Sequence, residues 1–190
     1  MAGNAPKPRA GRARRVGLWT AAGLAFGGVV LGLALAGTGA VAVHRANTTE
    51  FCTGCHVYDS FARQFERSQH QANLTGVQVG CADCHVPDDS LATMLWTKAR
   101  AGSRALWAYY VTGLDTPEAF AQARGRLQQD AHAWFVANDS QTCRSCHAVA
   151  AMDLQAQRAG ARASHKAAAQ GRYTCVECHS DVPHGPAPAD

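Results

Sequence analysis

The chain has 190 residues, a formal net charge of +4 and a hydrophobic fraction of 47%, which allows one domain of ordinary size plus a tail. All eight cysteines fall inside four Cys-x-x-Cys motifs, leaving none for a disulfide framework or a free thiol nucleophile. The positive charge is concentrated at the start, where Lys7, Arg9, Arg12, Arg14 and Arg15 occur within fifteen residues.

A basic run can bind nucleic acid, but this one directly precedes an apolar stretch, so no nucleic-acid partner is expected. Residues 1–15 read as a basic cytoplasmic tail. Val16 to Val43 carries no charge over 28 residues, and about 20 suffice to cross the hydrocarbon core of a bilayer as a helix. Ala40-Val41-Ala42 resembles a cleavage site, yet signal-peptide apolar cores run to only about 7–15 residues. Residues 16–43 are therefore expected to be a retained transmembrane anchor. The positive-inside rule keeps the N-terminus cytoplasmic. Residues 44–190 then form a periplasmic domain tethered by a single pass to the inner membrane of a Gram-negative bacterium. Gly28, Gly32 and Ala36 recur every four residues, a stripe that permits close helix approach and hence a homodimer. An Ala/Gly-rich genome produces the same stripe, so both readings stand.

Past the anchor comes Cys52-Thr53-Gly54-Cys55-His56, and the pattern returns at Cys81, Cys84, His85, at Cys143, Cys146, His147 and at Cys175, Cys178, His179. This is the spacing of c-type haem attachment. Two thiols add across the vinyl groups of one porphyrin, and the next histidine is placed to ligate its iron. Zinc ribbons and thioredoxin-like redox pairs also use Cys-x-x-Cys, but neither needs a histidine after every second cysteine. Four covalently bound c-type haems are expected, with His56, His85, His147 and His179 as proximal ligands.

Asp59 or Ser60 can cap a helix running to about His70, with Tyr58, Phe61 and Phe65 on one face, suited to aromatic packing over a porphyrin. Asn73 to Gly80 reads as a turn and extended link. Ser90 to Leu114 has helical periodicity, with Trp96 and Trp107 suited to a membrane–water interface or to covering haem edges. Thr116-Pro117 starts another helix that runs through Phe120 and Leu127 towards Trp134, with Asn138-Asp139-Ser140 as its punctuation. Met152 to Lys166 is Ala-rich and helical and delivers His165. A Pro/Ala-rich tail follows His184. The fold expected is mainly α: one transmembrane helix plus a small helical multihaem domain.

That domain reads as a duplicated two-haem unit. His56 and His70 are separated by 13 residues, and 10 more lead to Cys81; His147 and His165 are separated by 17, and 9 more lead to Cys175. His70 and His165 thus hold equivalent places and are candidate distal ligands, as is His184. Histidine in the sixth position gives lower potentials than methionine. His44 and His132 remain weaker candidates. Three distal histidines for four motifs leave the first haem without one. An anchored haem wire has a lipid-soluble quinol, menaquinol or ubiquinol, as its natural donor. Lys98 is the candidate to polarise the quinol oxygen, and Glu66, Asp83, Asp88 and Asp89 are candidate proton acceptors.

From the anchor to His184 the chain resembles the NapC/NirT family of membrane-anchored tetrahaem cytochromes c. The resemblance is carried by Asn47-Thr48 before Phe51-Cys52, Gly76-Val77, Asp83-Cys84-His85-Val86-Pro87, Asp115-Thr116-Pro117-Glu118, Asn138-Asp139-Ser140 before Cys143-Arg144, and Met152-Asp153. It implies a quinol dehydrogenase that passes electrons to a periplasmic reductase, most often nitrate reductase. It also implies that His184 serves the second haem, His165 the third and His70 the fourth. The related trimethylamine-oxide branch carries a further C-terminal haem domain, and with the sequence ending soon after His184 that branch is not the one expected. The branch serving cytochrome c nitrite reductase is an alternative, as is a catalytic multihaem oxyanion reductase. A passive periplasmic shuttle would require the anchor to be cleaved. The chain departs from the family where a methionine often stands two residues after the first motif's histidine. Here that residue is Tyr58, which leaves His56 as the default ligand.

Overall fold

The computed structural model describes residues 10–185, with side chains from residue 17 onward. The side chains of the basic tail and the Pro/Ala-rich residues 186–190 lie outside the described residues. Two compact units divide at Ala46 and Asn47. The first is a single helix, α1 (Ala10–Ala46). Its Gly17–Ala46 portion has a mean hydropathy of 2.0 and no buried residues in its most apolar window, so it is long and apolar enough to cross a bilayer. The expected anchor lies inside it. Thr38 donates its hydroxyl to the Ala34 carbonyl at 2.8 Å, so the helix's own backbone satisfies this polar side chain.

The second unit is helical, with no strand among the described residues. Its short helices α2 (Thr49–Cys52), α4 (Cys81–His85) and α7 (Gln141–Cys146) carry haem motifs, and a 3₁₀ turn covers His56–Tyr58. Longer helices lie between them: α3 (Asp59–Glu66), α5 (Leu91–Tyr110), α6 (Pro117–Ala137) and α8 (Ala159–Ala169). The starts of α5 and α6 follow local sequence rules. Ser90 accepts from the Thr93 N–H at 3.0 Å, and Thr116 accepts from the Ala119 N–H at 3.2 Å, with Pro117 in the first turn.

Two helices differ from expectation. α3 stops at Glu66 rather than near His70, because the Ser68 hydroxyl donates to the Phe65 carbonyl at 2.7 Å and the chain turns. The run from Met152 does not start a helix until Ala159. Asp153 Oδ1 accepts from the Gln155 and Ala156 N–H groups, and Arg162 donates to the Gln155 and Gln157 carbonyls, so side chains hold this segment as a loop.

The hydrophobic core is small. Among the described residues the buried apolar side chains are Val57, Phe65, Pro87, Phe120 and Val176. Tyr58 and Phe61 each pack edge-on to Phe120 at 5.4 Å. The aromatic face expected to cover a porphyrin thus clamps α3 and its leading turn onto α6.

Candidate functional site

The four motifs touch in chain order. The Cys52 and Cys81 thiols hydrogen-bond to one another, which raises Cys52 and lowers Cys81 from the ordinary thiol range. α4 is seated by its own cap, since Asp83 Oδ2 accepts from the Gly80 N–H at 2.6 Å and a Cβ at Gly80 would lie 3.1 Å from Thr49 Oγ1. Asp83, a candidate proton acceptor, thus also caps α4. Thr142 on α7 donates to the Cys84 carbonyl at 2.8 Å, joining the second motif to the third. Asp139 and Ser140 adopt left-handed φ values of 56° and 50°. This turn buries Ser140 completely and lets its hydroxyl accept from the Val176 N–H at 3.3 Å, joining the third motif to the fourth.

Three of the motif histidines face a second imidazole. The ring centres of His85 and His184 are 6.2 Å apart, those of His70 and His147 6.1 Å, and those of His165 and His179 6.3 Å. Two metal–nitrogen bonds of about 2 Å, plus about 1 Å from nitrogen to ring centre on each side, give about 6 Å. These pairs therefore fit a bis-histidine iron. The interplanar angles are 27°, 83° and 19° in the same order. His44 and His132 form no such pair.

His184 stands opposite the second motif, where the family resemblance places its ligation, while the ring beside His70 belongs to the third motif and the ring beside His165 to the fourth, the reverse of what the resemblance implies for those two. The reason is in the packing: the Thr142–Cys84 bond brings the third motif beside the segment that carries His70, while α8 folds back on the motif that follows it.

Burial keeps the second pair neutral. It lowers His184 to about 4, with the His85 charge and the Arg124 cation adding to the effect and the Phe61 carbonyl opposing it. It also lowers His85, although that residue as a whole is exposed. A neutral imidazole is what an iron requires.

Arg124 was not legible as a site residue. It is buried on α6, donates to Gln64 Oε1 at 2.9 Å and to the His184 carbonyl at 2.8 Å, and lies 4.9 Å from the Phe61 ring centre. The sequence signal was an arginine four residues after Phe120 and three before Leu127, inside the apolar stripe of α6. Gln157 was missed too. Its Oε1 lies 2.6 Å from His165 Nδ1, a contact that would leave Nε2 as the nitrogen available to an iron. Gln157→Leu is expected to weaken ferric ligation about tenfold, raising the fourth-motif potential by about 59 mV for a one-electron couple. A redox titration measures this directly.

The first motif is different. Opposite His56 stands Tyr109 rather than an imidazole, its hydroxyl oxygen 3.5 Å from His56 Nε2. Lys98, also on α5, is close enough that its charge acts on Cys52. Tyr58 is turned into the domain against Phe120, and burial raises its hydroxyl, which stays a neutral phenol.

A cleft of about 610 Å³ opens between residues 148–154 and α8, lined by Arg144, Val149, Met152, Leu154 and Lys166. Its walls are largely apolar, which suits a porphyrin face, and Lys166 could meet a carboxylate, while the Arg144 guanidinium is held by Asp139.

Residues 15–189 match the family description NapC/NirT cytochrome c family, N-terminal region. A protein named for a tetraheme cytochrome-c type in Allochromatium vinosum is 41% identical over 142 residues, 75% of this chain and 76% of its own length. Cytochrome c-type protein TorC of Escherichia coli is 34% identical over 87% of this chain, which spans only 42% of TorC. A crystal structure of the cytochrome c nitrite reductase NrfHA complex bound to the HQNO inhibitor superposes with a TM-score of 0.51 at 23% identity, covering 85% of this chain and 90% of the matched one. That likeness is one of fold.

Proposed function

We propose, from the premise that this chain belongs to the NapC/NirT cytochrome c family, that it takes electrons from membrane quinol at its first motif. It delivers them through the other three to a periplasmic terminal reductase, nitrate reductase foremost. The reading is supported by one division among the motif histidines. His85, His147 and His179 each face a second imidazole, while His56, in the motif reached by the Lys98 charge, does not. Closed axial pairs suit onward transfer, and a distinct site suits the point where electrons arrive.

When bound, haem supplies one-electron exchange at its iron. The chain's residues do the rest. Cys52, Cys55, Cys81, Cys84, Cys143, Cys146, Cys175 and Cys178 fix four haems in covalent sequence. His56, His85, His147 and His179 would each hold one haem iron, and His184, His70 and His165 would supply the second ligand for the last three. Quinol oxidation releases two electrons and two protons, so it needs a cation beside an electron acceptor and a base nearby. The Lys98 ammonium donates to the quinol oxygen and steadies the charge that builds as the proton leaves. Asp88 and Asp89, exposed just ahead of α5, receive protons. α1 anchors the chain by a single pass in the inner membrane with its basic end cytoplasmic, and its small-residue stripe leaves room for a second copy.

Lys98→Ala tests the site. Loss of one charged hydrogen bond is expected to slow reduction by a menaquinol or ubiquinol analogue about ten- to hundredfold, with dithionite reduction of all haems unchanged. Failure of quinol to reduce any haem, alongside turnover of nitrate or nitrite, would make the chain a catalytic oxyanion reductase instead. Reoxidation by cytochrome c nitrite reductase but not by nitrate reductase would assign the alternative partner.

A further inference from the structure

The side chain that faces His56 is Tyr109. The 3.5 Å separation of Tyr109 Oη from His56 Nε2 is long for an O–H···N hydrogen bond, normally about 2.7–3.0 Å. It falls just short of the span of two metal–ligand bonds of about 2 Å each laid end to end. The ring centres are 6.3 Å apart, and the phenol oxygen, which lies outside its ring, is the Tyr109 atom that approaches His56.

We propose that Tyr109 is the distal oxygen ligand of the first haem in its oxidised state. The proposal rests on the haem reading of the first motif and deepens it, and α5 supports it independently. Lys98, Gly102, Ala105 and Tyr109 follow i, i+4, i+7, i+11 spacing and share one face of the helix. Both ends of that face reach the first motif, Lys98 acting on Cys52 and Tyr109 facing His56. Its middle has no bulk, since a Cβ at Gly102 would meet nothing within 4 Å. Gly102 and Ala105 are exposed, and the face ends at the phenol of Tyr109. That phenol is half-buried and braced edge-on by Tyr110 at 4.9 Å. Phenolate is an established haem ligand and, as a hard oxygen donor, suits ferric iron. On ligation the oxygen lone pair goes to iron and the phenolic proton to solvent.

The test uses the full-length haem-loaded protein in detergent, with its haem count fixed by intact mass. Resonance Raman of the oxidised wild type is expected to show phenolate modes that Tyr109→Phe loses. Cyanide affinity of the first haem in that variant should rise about tenfold or more, because no internal ligand competes. Tyr109→His, which puts an imidazole in the same place, should add a low-spin signal, whereas Tyr110→Phe should change none of these readouts. Four haems by mass with no phenolate modes, and equal cyanide affinity in wild type and Tyr109→Phe, would overturn the proposal. Three haems by mass would instead overturn the reading of the first motif on which it rests.

Discussion

A chain produced without haem attachment is expected to lose the helices of residues 47–185 while α1 stays helical in detergent. Among the described residues the domain's buried apolar side chains are Val57, Phe65, Pro87, Phe120 and Val176, each contributing at most about 1.5–3 kcal/mol when fully buried. Ordering the backbone costs about 1–2 kcal/mol per residue, over more than a hundred residues. The motif helices α2, α4 and α7 have four, five and six residues, far below the about 12–15 at which isolated helices become marginal. Porphyrin faces must therefore supply most of the missing core. Far-UV circular dichroism and limited proteolysis of haem-free against mature protein measure the difference. A cooperative thermal transition with native helix content in the haem-free chain would sink the argument. The effect should also spread from a single motif. Cys81→Ala with Cys84→Ala removes one attachment, but α4 carries both the Cys52–Cys81 contact and the carbonyl bonded by Thr142. Loss of that motif is expected to lower occupancy at the first and third motifs as well, and the haem count by mass reports it.

What was legible in the sequence shares one property: its cause is local. Haem attachment needs two thiols and a histidine within five residues, so the motif is complete on the page. The starts of α5 and α6 depend on Ser90 and on Thr116-Pro117 bonding within three residues. The apolar length of α1 needs no tertiary contact to be read. The repeat also singled out His70 and His165, and each lies beside a motif histidine.

What was not legible depends on segments meeting far apart in the chain. Which motif His70 faces follows from a bond between residues 142 and 84, and nothing near His70 announces it. Arg124 bridges Gln64 and His184, each 60 residues away, so its role exists only once α3 and α6 have packed. Tyr109 lies 53 residues from His56, and its own sequence context reads only as an aromatic helix end. Helix ends were misjudged for a different reason. Ser68 and Asp153 hydrogen-bond the backbone locally and divert it from helix, a competition that apolar periodicity does not report.

The pairing of distal histidines has a spectroscopic consequence set by the ring angles. Near-parallel imidazole planes split the two iron d orbitals of π symmetry, whereas crossed planes leave them nearly equal in energy and make the low-spin signal strongly anisotropic. The oxidised protein is therefore expected to give two rhombic low-spin EPR signals, from His85/His184 at 27° and His165/His179 at 19°. A third, with a large maximum g value, should come from His70/His147 at 83°. His70→Ala should abolish the large-g signal and leave both rhombic ones, and His165→Ala should remove a rhombic one. The opposite assignment would show that His70 and His165 serve each other's motifs. His70→Met carries the same pairing into function. Methionine in place of histidine raises the potential of the site it ligates. A rise of about 0.12 V would shift the electron's equilibrium between the third and fourth motifs about a hundredfold towards the third. Electrons from quinol would then collect at His147 instead of reaching the reductase. Steady-state transfer to an external acceptor should fall in His70→Met, with quinol-driven reduction of the first two sites unaffected.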